Sequence, residues 1–308
     1  MKGPHARLRL LAILLASPAV MWAQGDSTPA LAPIGTEAFE VMREFFEYDR
    51  SVPLAARTIE RLEEEAYVRE KIVFRGAGDS RVPGYLAIPA KGVGPYPCVL
   101  LLHGIGSDKD AWWQDESFSS GGRLTKELVA AGFAVLALDA EYHGERLQNN
   151  DFESPIVFTF EHGWIRRARD MIVQSTVDYR RAIDYLGTRA DIDTSRVGAI
   201  GYSMGGMMVF GLSAVDPRIR ASVASVTPIL KEAHSAIAVH NFAPFIRRPA
   251  LLMLMGETDQ RNYSPDDARR VHGLVASGAK ELVFYESGHQ LPSEWTSRAA
   301  AWMARHLE

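Results

Sequence analysis

The pentapeptide Gly-Tyr-Ser-Met-Gly at 201–205 constrains the fold of this chain more than any other stretch. Residues 196–200 before it are apolar and rich in branched side chains, which is typical of a buried strand, and residues 206–214 after it favour a buried helix. A strand that turns directly into a helix around a serine brings the two backbones so close that Gly201 and Gly205 fit where side chains would collide. This nucleophile elbow strains the serine and presents its hydroxyl clear of the sheet. The alternative is a glycine-rich helix N-terminus capped by the serine.

Composition narrows the range of functions. The chain has 308 residues, which is enough for one large domain or two small ones. Its net charge is −4 without a basic block, so no nucleic-acid partner is expected. Cys98 is the only cysteine, which excludes an intramolecular disulfide and any zinc site built from several cysteines. Because it lies in the apolar run 97–102, we expect a buried thiol.

The N-terminus, residues 1–23, has the pattern of a secretory signal peptide. Three basic residues precede the apolar run 10–20, and Ala23 offers a cleavage site. The run is too short to span a bilayer comfortably. We therefore expect a secreted or periplasmic protein without a stable membrane anchor after cleavage, an uncleaved anchor being the alternative.

Two organisational regions are predicted after the signal peptide. Residues 24–67 are expected to form a linker and an N-terminal helical segment, with amphipathic helices at 36–49 and 54–67 that are separated at Pro53. From Val68 the pattern changes to short apolar strands.

The pattern of residues 68–308 predicts an α/β domain. Continuous apolar strands that alternate with helices indicate a mostly parallel central sheet with helices on both faces. Strands are predicted at 68–74, 85–88, 97–102, 133–138, 196–200, 219–226, 250–255 and 282–285, and helices at 124–131, 169–186, 206–214, 265–277 and 294–306. Insertions are expected at about 141–164 and 227–247. Ligands of such sheets bind beyond the carboxyl ends of the strands.

A serine nucleophile requires a histidine base that is oriented by a carboxylate. In the strand–turn–helix template the acid and then the histidine follow the serine, each just after a strand. Asp259 and His289 occupy such positions, so the candidate catalytic residues are Ser203, Asp259 and His289. Glu257 is the alternative acid.

Backbone N–H groups must also stabilise the negative oxygen that forms during attack on a carbonyl. Met204, which directly follows the serine, is expected to donate one N–H group. Ile105 is expected to donate the other, from the loop 103–106, where Gly104 lets the backbone approach a substrate closely. His103 is interpreted as a residue that holds this loop by hydrogen bonds.

Taken together, these motifs resemble the α/β-hydrolase superfamily. The resemblance extends over residues 68–308 and rests on the segments 103–106, 201–206, 256–259 and 288–289. Within the superfamily the chain is similar to the dienelactone-hydrolase-like and acetyl-xylan-esterase-like serine carboxylesterases. The resemblance implies the α/β-hydrolase fold and cleavage of a small-molecule ester through an acyl-enzyme. Dienelactone hydrolases carry a cysteine as nucleophile, so Ser203 favours ordinary ester hydrolysis.

Several further expectations complete the functional hypothesis. No cofactor is required, and no metal site is expected at the cluster 143–145, which lacks a second histidine at ligand spacing. A prolyl-oligopeptidase-like peptidase and a non-catalytic binding module remain alternatives, although the residues before 68 are too few for a β-propeller. Aromatic residues of the two insertions either pack on the body or form a partial lid, and we expect short acyl groups, acetyl to butyryl, to be preferred. No oligomeric state is predicted.

Overall fold

A computed structural model describes residues 31–78, 80–231 and 235–307. The predicted signal peptide, its cleavage site and the first residues of the predicted linker lie outside the described residues.

Unbroken apolar runs form the strands at the centre of the fold. In β4 and β5 the five residues from Cys98 to Leu102 and the whole of Ala134–Leu138 are buried, and β8 is buried over its full length. Strands that are covered on both faces show no alternation of polar and apolar side chains, which is why they are apolar throughout. Cys98 is fully buried in this core, as expected.

Within the described residues, nine strands form one sheet. They are β1 (Arg57–Glu63), β2 (Tyr67–Arg75), β3 (Arg81–Pro89), β4 (Tyr96–Leu102), β5 (Ala134–Leu138), β6 (Ile192–Tyr202), β7 (Ile219–Ser225), β8 (Ala250–Gly256) and β9 (Lys280–Tyr285). Their spatial order is β1-β2-β3-β5-β4-β6-β7-β8-β9. The strands from β5 to β9 in that order pair in parallel, whereas β1, β2 and β3 add an antiparallel edge beside β5. The expected mostly parallel sheet is confirmed.

Helices cover this sheet. They are α1 (Thr36–Glu44), α2 (Gly121–Ala130), α3 (Ile165–Leu186), α4 (Met204–Val215), α5 (Val239–Phe242), α6 (Pro265–Leu274) and α7 (Trp295–Leu307). α3 packs against α4, and α2 packs against α7. None of the helices that the structure describes is both long enough and apolar enough to cross a membrane.

The second predicted N-terminal helix, at 54–67, is wrong, because this segment contains β1. Ile59 and Leu62 are three residues apart, a spacing that is also found on one face of a helix. In the structure the pairing with β2 shifts register between Thr58 and Glu60, so Ile59 is the extra residue of a β-bulge. A bulge adds one residue to the period of two, and every residue of β1 is exposed. Without a buried face, the strand leaves no alternating pattern in the sequence.

The first predicted helix is present as α1, and it packs on the second insertion. The ring of Phe39 stacks on Phe245 with 3.6 Å between centroids, and it meets Phe242 edge-on at 6.3 Å. Phe46, just after α1, also packs edge-on against Phe242. These contacts bury aromatic surface on both segments, so α1 and the second insertion stabilise each other.

Long α3 carries buried charges that are paired with carboxylates. Arg180 contacts Asp216 at 3.2 Å, and both side chains are almost fully buried. Asp178 accepts from Arg146 of the first insertion at 2.7 Å, also in a buried setting. Removal of one partner from such a pair leaves an uncompensated charge in a low-dielectric interior. These pairs therefore fix the positions of the first insertion and of the turn before β7 relative to α3.

Candidate active site

Ser203 is the single residue between β6 and α4, and its backbone is strained. Its φ is 56° and its ψ is −116°, a conformation that costs a non-glycine residue about 1–3 kcal/mol. The Ser203 N–H donates to the carbonyl of Ser225 on β7 at 2.8 Å, and its own carbonyl accepts from Gly206. These bonds hold the turn, and they place a largely buried hydroxyl at the carboxyl end of the sheet.

The crossing of β6 and α4 leaves no room for side chains at the two flanking glycines. A Cβ atom on Gly201 would collide with the backbone of Gly205, and one on Gly205 would collide with the carbonyl of Leu102. Strand β4 therefore approaches the elbow as closely as the helix does. The two glycines permit this crossing, as the sequence predicted.

Two loops bring a histidine and a carboxylate to the serine. His289, after β9, has its Nε2 atom 2.8 Å from the Ser203 hydroxyl oxygen. Its Nδ1 atom lies 2.5 Å from a carboxylate oxygen of Asp259, after β8. An imidazole that donates from Nδ1 to the carboxylate leaves Nε2 free to accept the serine proton. The alternative acid, Glu257, has an exposed side chain.

Asn262 is a site residue that the sequence analysis missed. Its side-chain amide donates to the second carboxylate oxygen of Asp259 at 2.8 Å. Its backbone carbonyl accepts from the N–H of Ile229 at 3.0 Å, which attaches the acid loop to the second insertion. No motif marked Asn262, because an amide three residues after an acid is common in loops and only the folded loop turns it back.

Tyr202 fixes the loop that carries His289. Its hydroxyl donates to the His289 carbonyl at 2.9 Å and accepts from the Leu291 N–H at 3.0 Å. Burial raises the pKa of Tyr202, so the hydroxyl keeps its proton at neutral pH. The residue before the serine thus holds the backbone of the histidine in place.

The two residues whose backbone amides were predicted as oxyanion donors lie at the same cavity as the serine. Met204 and Ile105 both line it, and neither N–H has a hydrogen-bond acceptor among the described residues. A Cβ on Gly104 would stand 3.4 Å from the Ser203 Cβ atom, so the loop runs very close to the serine. Neither donor is therefore taken up by another residue of the described structure.

His103 connects this loop to the loop after β5. Its Nε2 atom accepts from the Ala140 N–H at 3.0 Å, so its Nδ1 atom carries the proton and donates to the Gly104 carbonyl at 2.8 Å. The His143 ring lies 4.9 Å away and donates from Nδ1 to the Glu141 carbonyl at 2.8 Å. Burial lowers the pKa of His103, and burial together with the neighbouring His103 lowers the pKa of His143.

The segment after β5 is organised by ion pairs. Lys109 contacts Asp139 at 2.9 Å and Glu145 at 2.8 Å, and Lys71 contacts Glu145 at 2.9 Å. Glu145 belongs to the cluster 143–145, which the sequence analysis considered as a metal site. Its carboxylate is therefore paired with two lysines. Across the residues that the structure describes, no group of three or more His, Cys, Asp and Glu side chains is arranged to hold a metal ion.

A cavity of about 1380 Å³ opens over the Ser203 hydroxyl. Its walls are largely apolar and come from the elbow, the loop 103–107 and both insertions. Among its lining side chains are Phe118, Ile156, Phe160, Met207, Ile229 and Ile237. The cavity thus lies at the carboxyl ends of the parallel strands, where ligands of such sheets bind.

The insertion aromatics divide between the two roles considered from the sequence. Phe158 is fully buried and packs edge-on against Tyr142, and Phe242 packs on the N-terminal segment. Phe160 lines the cavity while keeping about half of its surface exposed. Trp164 is half exposed just outside the lining. The insertions therefore provide one wall of the cavity and also pack on the body.

The buried histidines should make the stability of the fold depend on pH. Because the pKa values of His103 and His143 are lowered by folding, the unfolded chain binds more protons below about pH 6.5. The contribution of these two histidines to the free energy of unfolding should be constant above that pH and should fall as the pH decreases. His143→Gln should reduce the slope by up to about 1.4 kcal/mol per pH unit. Urea denaturation between pH 5 and 7 measures the slope, and equal slopes for variant and wild type would contradict the assignment.

Comparisons with known proteins agree with this architecture. A family model described as the alpha/beta hydrolase family matches residues 99–306. The YtaP protein of Bacillus subtilis is 28% identical over 177 residues, which are 56% of this chain and 56% of YtaP. The chain therefore spans little more than half the length of that relative.

The similar solved structures include two acetyl xylan esterases. The acetyl xylan esterase from Paenibacillus sp. R4 superposes with a TM-score of 0.70 at 16% identity, over 91% of this chain and 97% of that one. Acetyl xylan esterase 1 from Thermoanaerobacterium sp. JW/SL YS485 gives 0.68 at 18% identity, over 89% and 94%. At these identities the likeness is one of fold.

The family model, by contrast, matches well over half of the residues of this chain. The chain therefore belongs to the alpha/beta hydrolase family.

Proposed function

We propose that the protein is a serine hydrolase that cleaves carboxylic esters. The observation that carries the proposal is the continuous hydrogen-bonded chain from the Ser203 hydroxyl through His289 to Asp259, at the floor of an apolar cavity. Family membership makes hydrolysis the expected reaction class, and the names of the two superposed esterases support an ester as substrate.

The proposed reaction has two halves. His289 Nε2 takes the proton of the Ser203 hydroxyl as its oxygen attacks the ester carbonyl carbon, and the Met204 and Ile105 N–H groups stabilise the negative oxygen. His289 then protonates the departing alcohol, which leaves an acyl-enzyme. Water, deprotonated by His289, attacks the acyl carbon and releases the acid with regeneration of the serine. Asp259 stays ionised and stabilises the imidazolium throughout.

Ser203→Ala should abolish ester hydrolysis without loss of fold. Removal of a serine nucleophile from such a set lowers kcat by about 10⁴-fold or more. The measurement is kcat/KM for p-nitrophenyl acetate, with circular dichroism as the check on folding. Ser107→Ala, in the same cavity lining, is the matched control and should retain activity. Substantial turnover by a folded Ser203→Ala protein would place the nucleophile elsewhere, and proline-containing peptide anilides assayed in parallel test the peptidase alternative.

Asp259→Asn should lower kcat by about 10⁴-fold, because an amide at this position favours the wrong imidazole tautomer. Glu257→Gln, two residues away with an exposed side chain, should change kcat by less than about twofold. Steady-state kinetics on the same ester compares the two variants. A larger loss for Glu257→Gln than for Asp259→Asn would reverse the assignment of the acid.

The acyl group is proposed to be short, from acetyl to butyryl. The names of the superposed acetyl xylan esterases support this proposal. The cavity volume of about 1380 Å³ exceeds the roughly 300–1,000 Å³ of most ligand pockets, so volume alone sets no short limit. We expect kcat/KM to be highest for p-nitrophenyl acetate or butyrate and lower for octanoate and palmitate, measured below their micelle concentrations. A steady rise up to palmitate would contradict a short-acyl preference.

Export is proposed from the N-terminal sequence alone. Three basic residues followed by the apolar run 10–20 form the pattern of a signal peptide. N-terminal sequencing of protein from periplasmic and medium fractions should give a start near Gln24. Full-length protein confined to the membrane fraction would indicate an uncleaved anchor instead.

A further inference from the structure

We infer that Arg261 recognises a negatively charged group on the substrate, so that the preferred esters carry a carboxylate in addition to the bond that is cleaved. The inference rests on the proposed ester hydrolysis at Ser203 and names the substrate class of that same cavity. Arg261 lines the cavity that contains Ser203 and His289, and it lies two residues after Asp259 on the acid loop.

The guanidinium of Arg261, an exposed residue, packs against an aromatic ring. Its central carbon lies 5.6 Å from the ring centroid of Phe160, which also lines the cavity. Such a contact restrains a long side chain without neutralising its charge. A restrained guanidinium loses less conformational entropy on binding than a freely rotating one. Two walls of the cavity, the first insertion and the acid loop, thus meet where this guanidinium contacts Phe160.

The charge of Arg261 is uncompensated by an ion pair within the described residues. The other cation in the lining, Lys231, contacts Asp267 at 3.2 Å, so its charge is already matched. Asp259 lies close in sequence, but its carboxylate is bound by His289 and Asn262. Glu161 is an exposed carboxylate in the same lining, and it opposes the binding of an anion.

A guanidinium is suited to a carboxylate because its planar N–H groups match two oxygen atoms. The rest of the lining is mostly apolar, so a substrate here would combine a short apolar body with one anionic end. The chain as a whole carries a net charge of −4, and the cation at the cavity therefore stands against the overall sign of the protein. An anion attracted to Arg261 is positioned by local chemistry and not by a generally basic surface.

The test compares matched pairs of esters that differ only in the anionic group. On the acyl side the pair is monomethyl glutarate and methyl pentanoate, followed by pH-stat titration. On the alcohol side the pair is p-carboxyphenyl acetate and p-(methoxycarbonyl)phenyl acetate, followed by absorbance. Arg261→Gln should lower kcat/KM about fivefold for the anionic ester of at least one pair, mainly through KM, and less than about twofold for its neutral partner. The pair that responds identifies the side of the substrate that carries the charge.

Two further variants sharpen the result. Arg247→Gln is the matched control, because Arg247 stacks on Phe245 at 5.8 Å but lies outside the cavity lining. It should leave kcat/KM unchanged for both esters of each pair. Glu161→Gln should raise kcat/KM for the responding anionic ester. The preference of the wild-type protein for that ester should also decrease as salt is added, since the charges are partly exposed.

The outcomes separate the inference from the proposed function. The role of Arg261 would be overturned if Arg261→Gln lowered kcat/KM equally for the anionic and the neutral ester in both pairs. It would also be overturned if Arg247→Gln lowered kcat/KM for the anionic ester selectively, as expected for Arg261→Gln. Loss of neutral-ester hydrolysis on Ser203→Ala together with such a result would leave the esterase proposal intact. Retained neutral-ester hydrolysis by Ser203→Ala would instead overturn the proposed function.

Discussion

The close crossing of β6, α4 and β4 at Ser203 is the constraint on which the rest of the site depends. A Cβ atom on Gly205 would meet the carbonyl of Leu102, so three backbones come together with no side chain between them. The strained conformation of Ser203 costs about 1–3 kcal/mol. It is maintained because Ser203 is hydrogen-bonded to β7 and to the first turn of α4. Strain at this position is thus opposed by the pairing of the sheet itself.

The loops that follow the neighbouring strands are held in place by a few hydrogen bonds. Tyr202 binds the backbone on both sides of the His289 loop, and Asn262 joins the acid loop to the second insertion. His103 does the same for the loop that carries Ile105, through Ala140. Because each tether is buried or half buried, its loss would leave an unpaired polar group as well as a mobile loop. The geometry around the serine is therefore set by hydrogen bonds of residues that themselves line the cavity.

Charged side chains are paired differently around α3 and at the cavity. Buried charges on α3 are matched by opposite charges, Arg180 by Asp216 and Asp178 by Arg146 of the first insertion, and these pairs position segments of the chain. At the cavity, Lys231 is matched, whereas Arg261 rests on the ring of Phe160. A paired buried charge serves structure, since desolvation penalises any change of partner. A restrained cation that faces a cavity remains available to a ligand, which is why it carries the proposed specificity.

The sequence by itself determined the alternation of strands and helices, the elbow, and the order of serine, acid and histidine, because these follow from local spacing and from strands buried on both faces. It did not reveal β1, since a fully exposed strand with a bulge at Ile59 has no regular period. It also did not reveal Asn262 or Arg261, which have no motif and gain their roles only where the acid loop folds back on Asp259 and Phe160. The local sequence pattern predicts backbone geometry and burial. Contacts between loops far apart in the chain depend on how the sheet places their ends, and only the tertiary structure decided them.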